Sequence, residues 1–206
     1  MNKFKLIKII LLLAIAVNLT ASSSIKFNIF ENDNILIKEL QKGGYSFYFR
    51  HSKTLRIKRL KEIDLNDCST QRNLSPEGKI LAKKVGKYLK TLNIKIDKVL
   101  SSPYCRAKDT ASYMFSRVNI DDSLSYSMYD NEKIKLSKKE GLKSILLRKP
   151  KVGFNSIAIS HTSNLQDMAN IWLKHELGLA IFKVQNDGTL KHIATINPEQ
   201  WESLSK

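Results

Sequence analysis

The sequence predicts an α/β protein, a three-layer sandwich whose mostly parallel central sheet is flanked by helices. Short apolar runs such as YSFYFR, IDKVLSS and NSIAIS alternate with segments of helical periodicity, the pattern of a parallel sheet with crossover helices. The chain has 206 residues and 42% hydrophobic content, enough for one ordinary domain with a real core. No internal repeat and no second domain is visible.

The chain opens with MNKFKLIK, a positive stretch, followed by the nine-residue apolar core Ile9 to Val17 and the small residues of NLTASSS. This is the pattern of an export signal over residues 1–24, cleaved near residues 22 to 25 and leaving a domain over 25–206. The core is short of the roughly 20 apolar residues that span a bilayer, so no integral membrane segment is expected after its removal. No cysteine follows it, which argues against lipid attachment. The expected location is periplasmic or secreted, and Cys68 and Cys105 then lie in a compartment where thiols pair.

NDNILIKELQKGG reads as a helix with Ile35, Leu36, Ile37 and Leu40 as its apolar positions and Gly43-Gly44 as its stop. YSFYFR, Tyr45 to Arg50, reads as a buried strand, and residues 52 to 74 as a long polar loop. LSPEGKILAKKVGKYLKTL is the clearest helix: Ser75 caps it, Pro76 opens its first turn and Glu77 sits at its positive end. Its apolar face is expected to hold Ile80, Leu81, Val85, Tyr88 and Leu89. Ile96 to Ser102 reads as a second strand and PYCRAKDTASYMFSR as a helix starting on Pro103. Residues 118 to 137 carry no regular pattern. SKKEGLKSILLRK is a helix ending before Pro150, NSIAIS (Asn155 to Ser160) a third strand, and SNLQDMANIWLKH the helix behind it. The tail AIFKV-QNDG-TLKHIATI has the turn chemistry of a β-hairpin.

The formal charge is +16, a balance that attracts polyanions such as nucleic acid, anionic lipid headgroups or phosphorylated glycans. The lysines are scattered, with only short doublets such as Lys83-Lys84 and Lys138-Lys139, which fits a generally solvated basic surface rather than a polyanion groove. No nucleic-acid partner is expected; contact with an anionic envelope surface is.

Three strand ends carry the chemistry: Arg50-His51, then Ser101-Ser102-Pro103 leading to Arg106, then Ser160-His161. In open α/β sheets ligands bind outside the carboxyl ends of the strands, so the fold gathers these residues at one edge. Two cationic-capable groups side by side, Arg50 and His51, repel each other unless an anion comes between them. Guanidinium forks bind phosphate oxygens bidentately, and a neutral imidazole offers a nitrogen nucleophile. The anion the cluster fits is a phosphoryl group. No Cys/His/Asp cluster has ligand spacing, so neither a metal nor a cofactor is expected. His175 and His192 lack such a context and read as surface or packing residues.

FRHS, NLSPEGKILAKKVGKYL, SSPYCRAKDTA and ISHTSN, in this order over about residues 45 to 175, resemble the histidine phosphatase superfamily. The resemblance is closest to its exported bacterial members, whose DCSTQRNLS and SSPYCRA segments carry a cysteine each. It implies a phosphoglycerate mutase-like fold and a metal-independent phosphatase that hydrolyses a small phosphomonoester through a phosphohistidine. His51 would be the nucleophile, Arg50 and Arg106 the clamp on the nonbridging oxygens, and His161 a further donor to them. Ser52 stands where the family often has glycine and would add a hydroxyl donor. Cys68 and Cys105, beside two of these segments, are expected to form a disulfide. Thr162 follows His161 where the acid phosphatase branch has aspartate, so that branch's leaving-group acid is absent. Asp121, Asp122, Asp130, Glu132 and Glu176 remain as candidate acids; otherwise the substrate has a leaving group that departs unaided. The rival reading is a catalytically inactive envelope protein holding an anionic, phosphorylated ligand in a cationic pocket.

Overall fold

The computed structural model describes residues 33–57 and 62–205. The expected export signal lies outside the described residues. Among them, no helix is long and apolar enough to cross a membrane.

Six strands, β1 (Tyr45–Arg50), β2 (Ile96–Ser101), β3 (Asn119–Ile120), β4 (Asn155–Ser160), β5 (Leu179–Val184) and β6 (Leu190–Ile196), form one sheet in the order β3-β2-β4-β1-β5-β6. β1 pairs in parallel with β4, β4 with β2 and β2 with β3, while β5 runs antiparallel to both β1 and β6. The parallel part of this mixed sheet thus holds the three strand ends singled out above. The antiparallel part is the QNDG hairpin, where Asp187 accepts from Thr189 N and Gly188 adopts φ +80°.

The helices are α1 (Asp33–Lys42), α2 (Pro76–Thr91), α3 (Cys105–Met114), α4 (Glu132–Leu147), α5 (Thr162–Ala169) and α6 (Trp201–Leu204). Strand periodicity sends Phe47, Phe49, Ile157 and Ile159 to one face of the sheet, against α1, α2, α3 and α6. Tyr48 and Ala158 point to the other face, against α4 and α5. Phe47 and Phe49 are fully buried, which is worth about 2 kcal/mol of apolar transfer each. Three layers result.

Several boundaries differ from the sequence expectation. On α2, Ser75 caps as expected, its hydroxyl accepting from Gly78 N at 3.1 Å, but Ile80 is 67% exposed. The buried stripe is Gly78, Ala82, Val85 and Leu89, a narrower face of small residues that lets α3 come close. A Cβ on Gly86 would stand 2.6 Å from the Met114 carbonyl oxygen. α3 begins at Cys105 rather than Pro103, because Tyr104 is extended (φ −65°, ψ 135°) and Cys105 N donates to the Gln71 side chain at 3.0 Å. α4 starts at Glu132, earlier than expected, since Asn131 caps it by accepting from Ile134 N. α5 stops at Asn170, which is left-handed (φ 55°, ψ 34°), so residues 170–175 are loop. Within the irregular stretch, Asp121 caps a short 3-10 turn over residues 122–124.

Cys68 and Cys105 form the expected disulfide, with Cα atoms 5.7 Å apart across a sequence separation of 37.

Candidate active site

β1 and β4 leave the sheet side by side. Arg50 lies opposite Ser160, and His51 N donates to Ser160 O at 2.9 Å. The next residue on each strand is a histidine, and the two ring centroids are 5.4 Å apart. His51 O accepts from Leu177 N at 3.0 Å, and Leu177 holds φ +64°, an uncommon value for a branched residue. The main chain on both sides of His51 is thereby fixed.

The His51 ring is pinned as well. Nδ1 lies 2.9 Å from the carbonyl oxygen of Ser52, which can only accept, so Nδ1 carries the ring proton and Nε2 keeps its lone pair. Burial pushes the His51 pKa well below its ordinary value, and the charges of Arg106, Arg50 and Arg72 push it the same way. The imidazole is neutral at physiological pH.

His161 is buried beside it with both nitrogens engaged. Arg106 Nη2 donates to Nδ1 at 3.1 Å, which leaves the proton on Nε2, 2.9 Å from Ser102 Oγ. Burial first, then Arg106 and His51, hold its pKa well below normal. His161 is not among the residues that border the cavity; its Nδ1 accepts from Arg106, which does border it. Ser52 is likewise committed elsewhere: its hydroxyl donates to Gly78 O at 2.7 Å and its N–H to Thr110 Oγ1 at 2.9 Å. It braces the exit of β1 against α2 and α3.

In front of these residues opens a cavity of about 300 Å³, the scale of a small-ligand site. Its floor is cationic: Arg50, Arg72 and Arg106 line it together with His51 and Thr162. Arg106 is almost fully buried, with its guanidinium 4.5 Å from the Tyr104 ring centroid. Arg50 turns Nη1 away, onto the carbonyls of Leu173 and Lys174 at 3.0 and 2.8 Å. Its Nε is buried without a hydrogen-bond partner among the described residues, and so is Thr162 Oγ1. Buried polar atoms without partners are rare, and here they sit in the wall of an anion-sized cavity. α5 begins at Thr162, so the positive end of its dipole also faces this floor.

Arg72 escaped the sequence reading. It reaches the cavity because the Cys68–Cys105 bond and the Gln71–Cys105 hydrogen bond fold the polar loop back onto α3. The signal was its place in DCSTQRNLS, close to a cysteine expected to pair beside Arg106. The walls were missed too: the aromatic Tyr104, Tyr126 and Trp172, and the aliphatic Ile63 from the loop after β1.

None of the candidate acids lines the cavity. Asp121 accepts from Ser123, Asp130 pairs with Lys138, and Glu132 pairs with Lys135 on the surface. Glu176 lies 3.9 Å from Arg50 Nη2 and accepts from Thr54 Oγ1 at 3.0 Å. Asp122 is exposed in the 3-10 turn. Among the described residues, no Asp or Glu borders the cavity. His175 stands 3.7 Å from Glu199, and His192 packs on Phe182, both away from it.

Residues 49–125 match the family model of the histidine phosphatase superfamily (branch 1). No curated protein matches the chain significantly. Among solved structures, the protein histidine phosphatase SixA complexed with tungstate aligns with a TM-score of 0.53 at 15% identity, over 76% of this chain and 98% of that one. A mycobacterial glucosyl-3-phosphoglycerate phosphatase aligns with a TM-score of 0.54 at 10% identity, over 72% and 96%. A phosphoserine phosphatase from Entamoeba histolytica, in complex with 3-phosphoglyceric acid, aligns with a TM-score of 0.50 at 15% identity, over 73% and 95%. Likeness at such identity speaks for the fold alone. The matched segment runs from the end of β1 past α3 and carries Arg50, His51, Arg72 and Arg106; over it the chain is similar to the histidine phosphatase superfamily, and the solved structures share its fold.

Proposed function

We propose that the protein is a metal-independent phosphatase of the cell envelope space or exterior, acting on a small phosphorylated substrate through a phosphohistidine at His51. The observation that carries this reading is the state of His51: a neutral ring with its proton held on Nδ1 by Ser52 O, bordering a cavity lined by three arginines. Nε2 attacks phosphorus, the N–P bond forms, and the bond to the leaving group breaks with its electron pair. Water then attacks phosphorus, the N–P bond breaks, and inorganic phosphate leaves. Arg106 and Arg72 neutralise charge on the transferring group, the main source of catalysis in this chemistry. A donor set of guanidinium groups without a bordering carboxylate suits an anion and offers a divalent cation nothing to bind.

The same lack of a carboxylate selects substrates that need no protonation as they leave. The SixA structure is described as a protein histidine phosphatase, and phosphohistidine is a substrate of this kind. The disulfide and the lysine-flanked apolar start of the chain support an oxidising compartment.

The engagement of both His161 nitrogens favours the rival, an inactive binder of anions. Turnover of p-nitrophenyl phosphate decides, since its phenolate departs unaided. The enzyme consumes it and carries acid-labile, base-stable phosphate during turnover, and His51→Ala abolishes both. A His51→Ala protein hydrolysing it at the wild-type rate would end this mechanism, and a wild-type protein that binds phosphate without turnover would establish the rival.

A further inference from the structure

The cavity changes character from floor to mouth. Above the arginines, Tyr104, Tyr126 and Tyr129 form a chain of edge-to-face rings with centroids 6.1 and 5.8 Å apart. It leads outward from His161, whose ring lies 5.1 Å from that of Tyr126. Trp172, on the loop after α5, joins the wall. Tyr129 is 65% exposed and Trp172 53%, and the exposed Met128 and Ile57 border the same opening. Large apolar side chains are common on surfaces singly; a group of them around one cavity mouth marks a binding site.

We propose that this mouth is a subsite for an aromatic leaving group, and that the substrate class is an aryl phosphate monoester. The proposal rests on the phosphatase reading above and narrows its substrate. Two independent features meet in one chemistry. An aromatic wall takes a flat ring, by stacking or edge contact. A cavity without a bordering carboxylate needs a leaving group that departs as an anion, and a phenol, with a pKa of about 10, does so far more readily than an alkanol. An alkyl phosphate meets neither requirement, and a small acyl phosphate meets only the second. In the balanced step His51 Nε2 forms the N–P bond, the P–O(aryl) bond breaks, and the aryloxide takes its proton from water at the open mouth.

Phenyl phosphate, acetyl phosphate and octyl phosphate test this. Phenyl phosphate is consumed with a kcat/KM at least about tenfold above octyl phosphate, and Trp172→Ala lowers kcat/KM for phenyl phosphate about tenfold more than for acetyl phosphate. Trp172→Phe restores most of the loss. Octyl phosphate consumed as well as phenyl phosphate, or equal losses on phenyl phosphate and acetyl phosphate, overturns the subsite while leaving the phosphatase in place. Calorimetry with phenylphosphonate and methylphosphonate separates the other failure. If no ester is consumed yet phenylphosphonate binds tenfold more tightly, the phosphatase reading falls and the leaving-group role with it. Should the two phosphonates bind equally, the ring has no subsite at all.

Discussion

Arg106 Nη2 donates to His161 Nδ1 at 3.1 Å, so two residues from different strand ends hold each other in place. One is the first turn of α3, the other the residue before α5. The guanidinium is thereby aimed before any ligand arrives, which is the preorganisation that electrostatic catalysis depends on.

Replacing Arg106 by alanine is expected to lower kcat by about 10² to 10³ while leaving the far-ultraviolet spectrum unchanged. Arg106 is also among the charges that depress the His161 pKa. The titration of His161, followed by NMR, moves upward in the variant. An unmoved titration would contradict the pairing.

Acid is expected to destabilise the fold through His51 and His161. Both are buried with pKa values well below the unfolded value of 6.5. The unfolded chain therefore binds more protons between the folded values and 6.5. Stability present above about pH 6.5 is lost as the pH falls through that window, by up to about 1.4 kcal/mol per pH unit for each histidine. Urea midpoints at pH 7.5, 6.0 and 5.0 read the slope, and His51→Gln flattens it. An unchanged slope in that variant would show that His51 contributes nothing to it.

Removal of the disulfide by Cys68→Ser with Cys105→Ser releases the closed loop, a cost of about 4 kcal/mol in the chain-entropy model. The loop carries Arg72, so kcat falls and KM rises. Denaturant midpoints and steady-state kinetics measure the two effects. Equal KM in both forms would mean that Arg72 keeps its place without the bond.

Gly78→Ala is expected to damage activity from outside the cavity. A Cβ there would collide with the Lys53 carbonyl, which is main chain and cannot swing aside. The collision pries apart the Ser52–Gly78 contact that braces the exit of β1. A stability loss of about 1–3 kcal/mol and a lower kcat follow. Wild-type kinetics for this variant would show that the brace is dispensable.

The strands, the α2 cap and the hairpin were legible because each is written locally. YSFYFR and NSIAIS match β1 and β4 residue for residue. Arg50, His51 and Arg106 were legible because topology brings strand ends together whatever the loops do. The hydrogen-bond commitments of Ser52 and His161 were not, since their partners Gly78, Ser102 and Arg106 come from separate elements. Arg72, Tyr126 and Trp172 reach the cavity on long loops, whose path depends on a disulfide, a capped 3-10 turn and the left-handed Asn170. The narrow buried face of α2 was hidden because alanine and glycine carry little apolar signal, although they decide how close α3 can come.

The pairing of β1 with β4 has a consequence for how this site is inherited. The spacing between the two imidazoles follows the repeat of a parallel ladder, strands about 4.8 Å apart, with Arg50 opposite Ser160. That spacing is written in main-chain amides and carbonyls, which every residue type but proline supplies alike. The layers above and below can then exchange nearly all their side chains without moving the ruler. Chains that share 15% or 10% of their residues with this one keep the same fold, and a frame of that kind lets the walls of the cavity drift while the ends of its strands stay where they are.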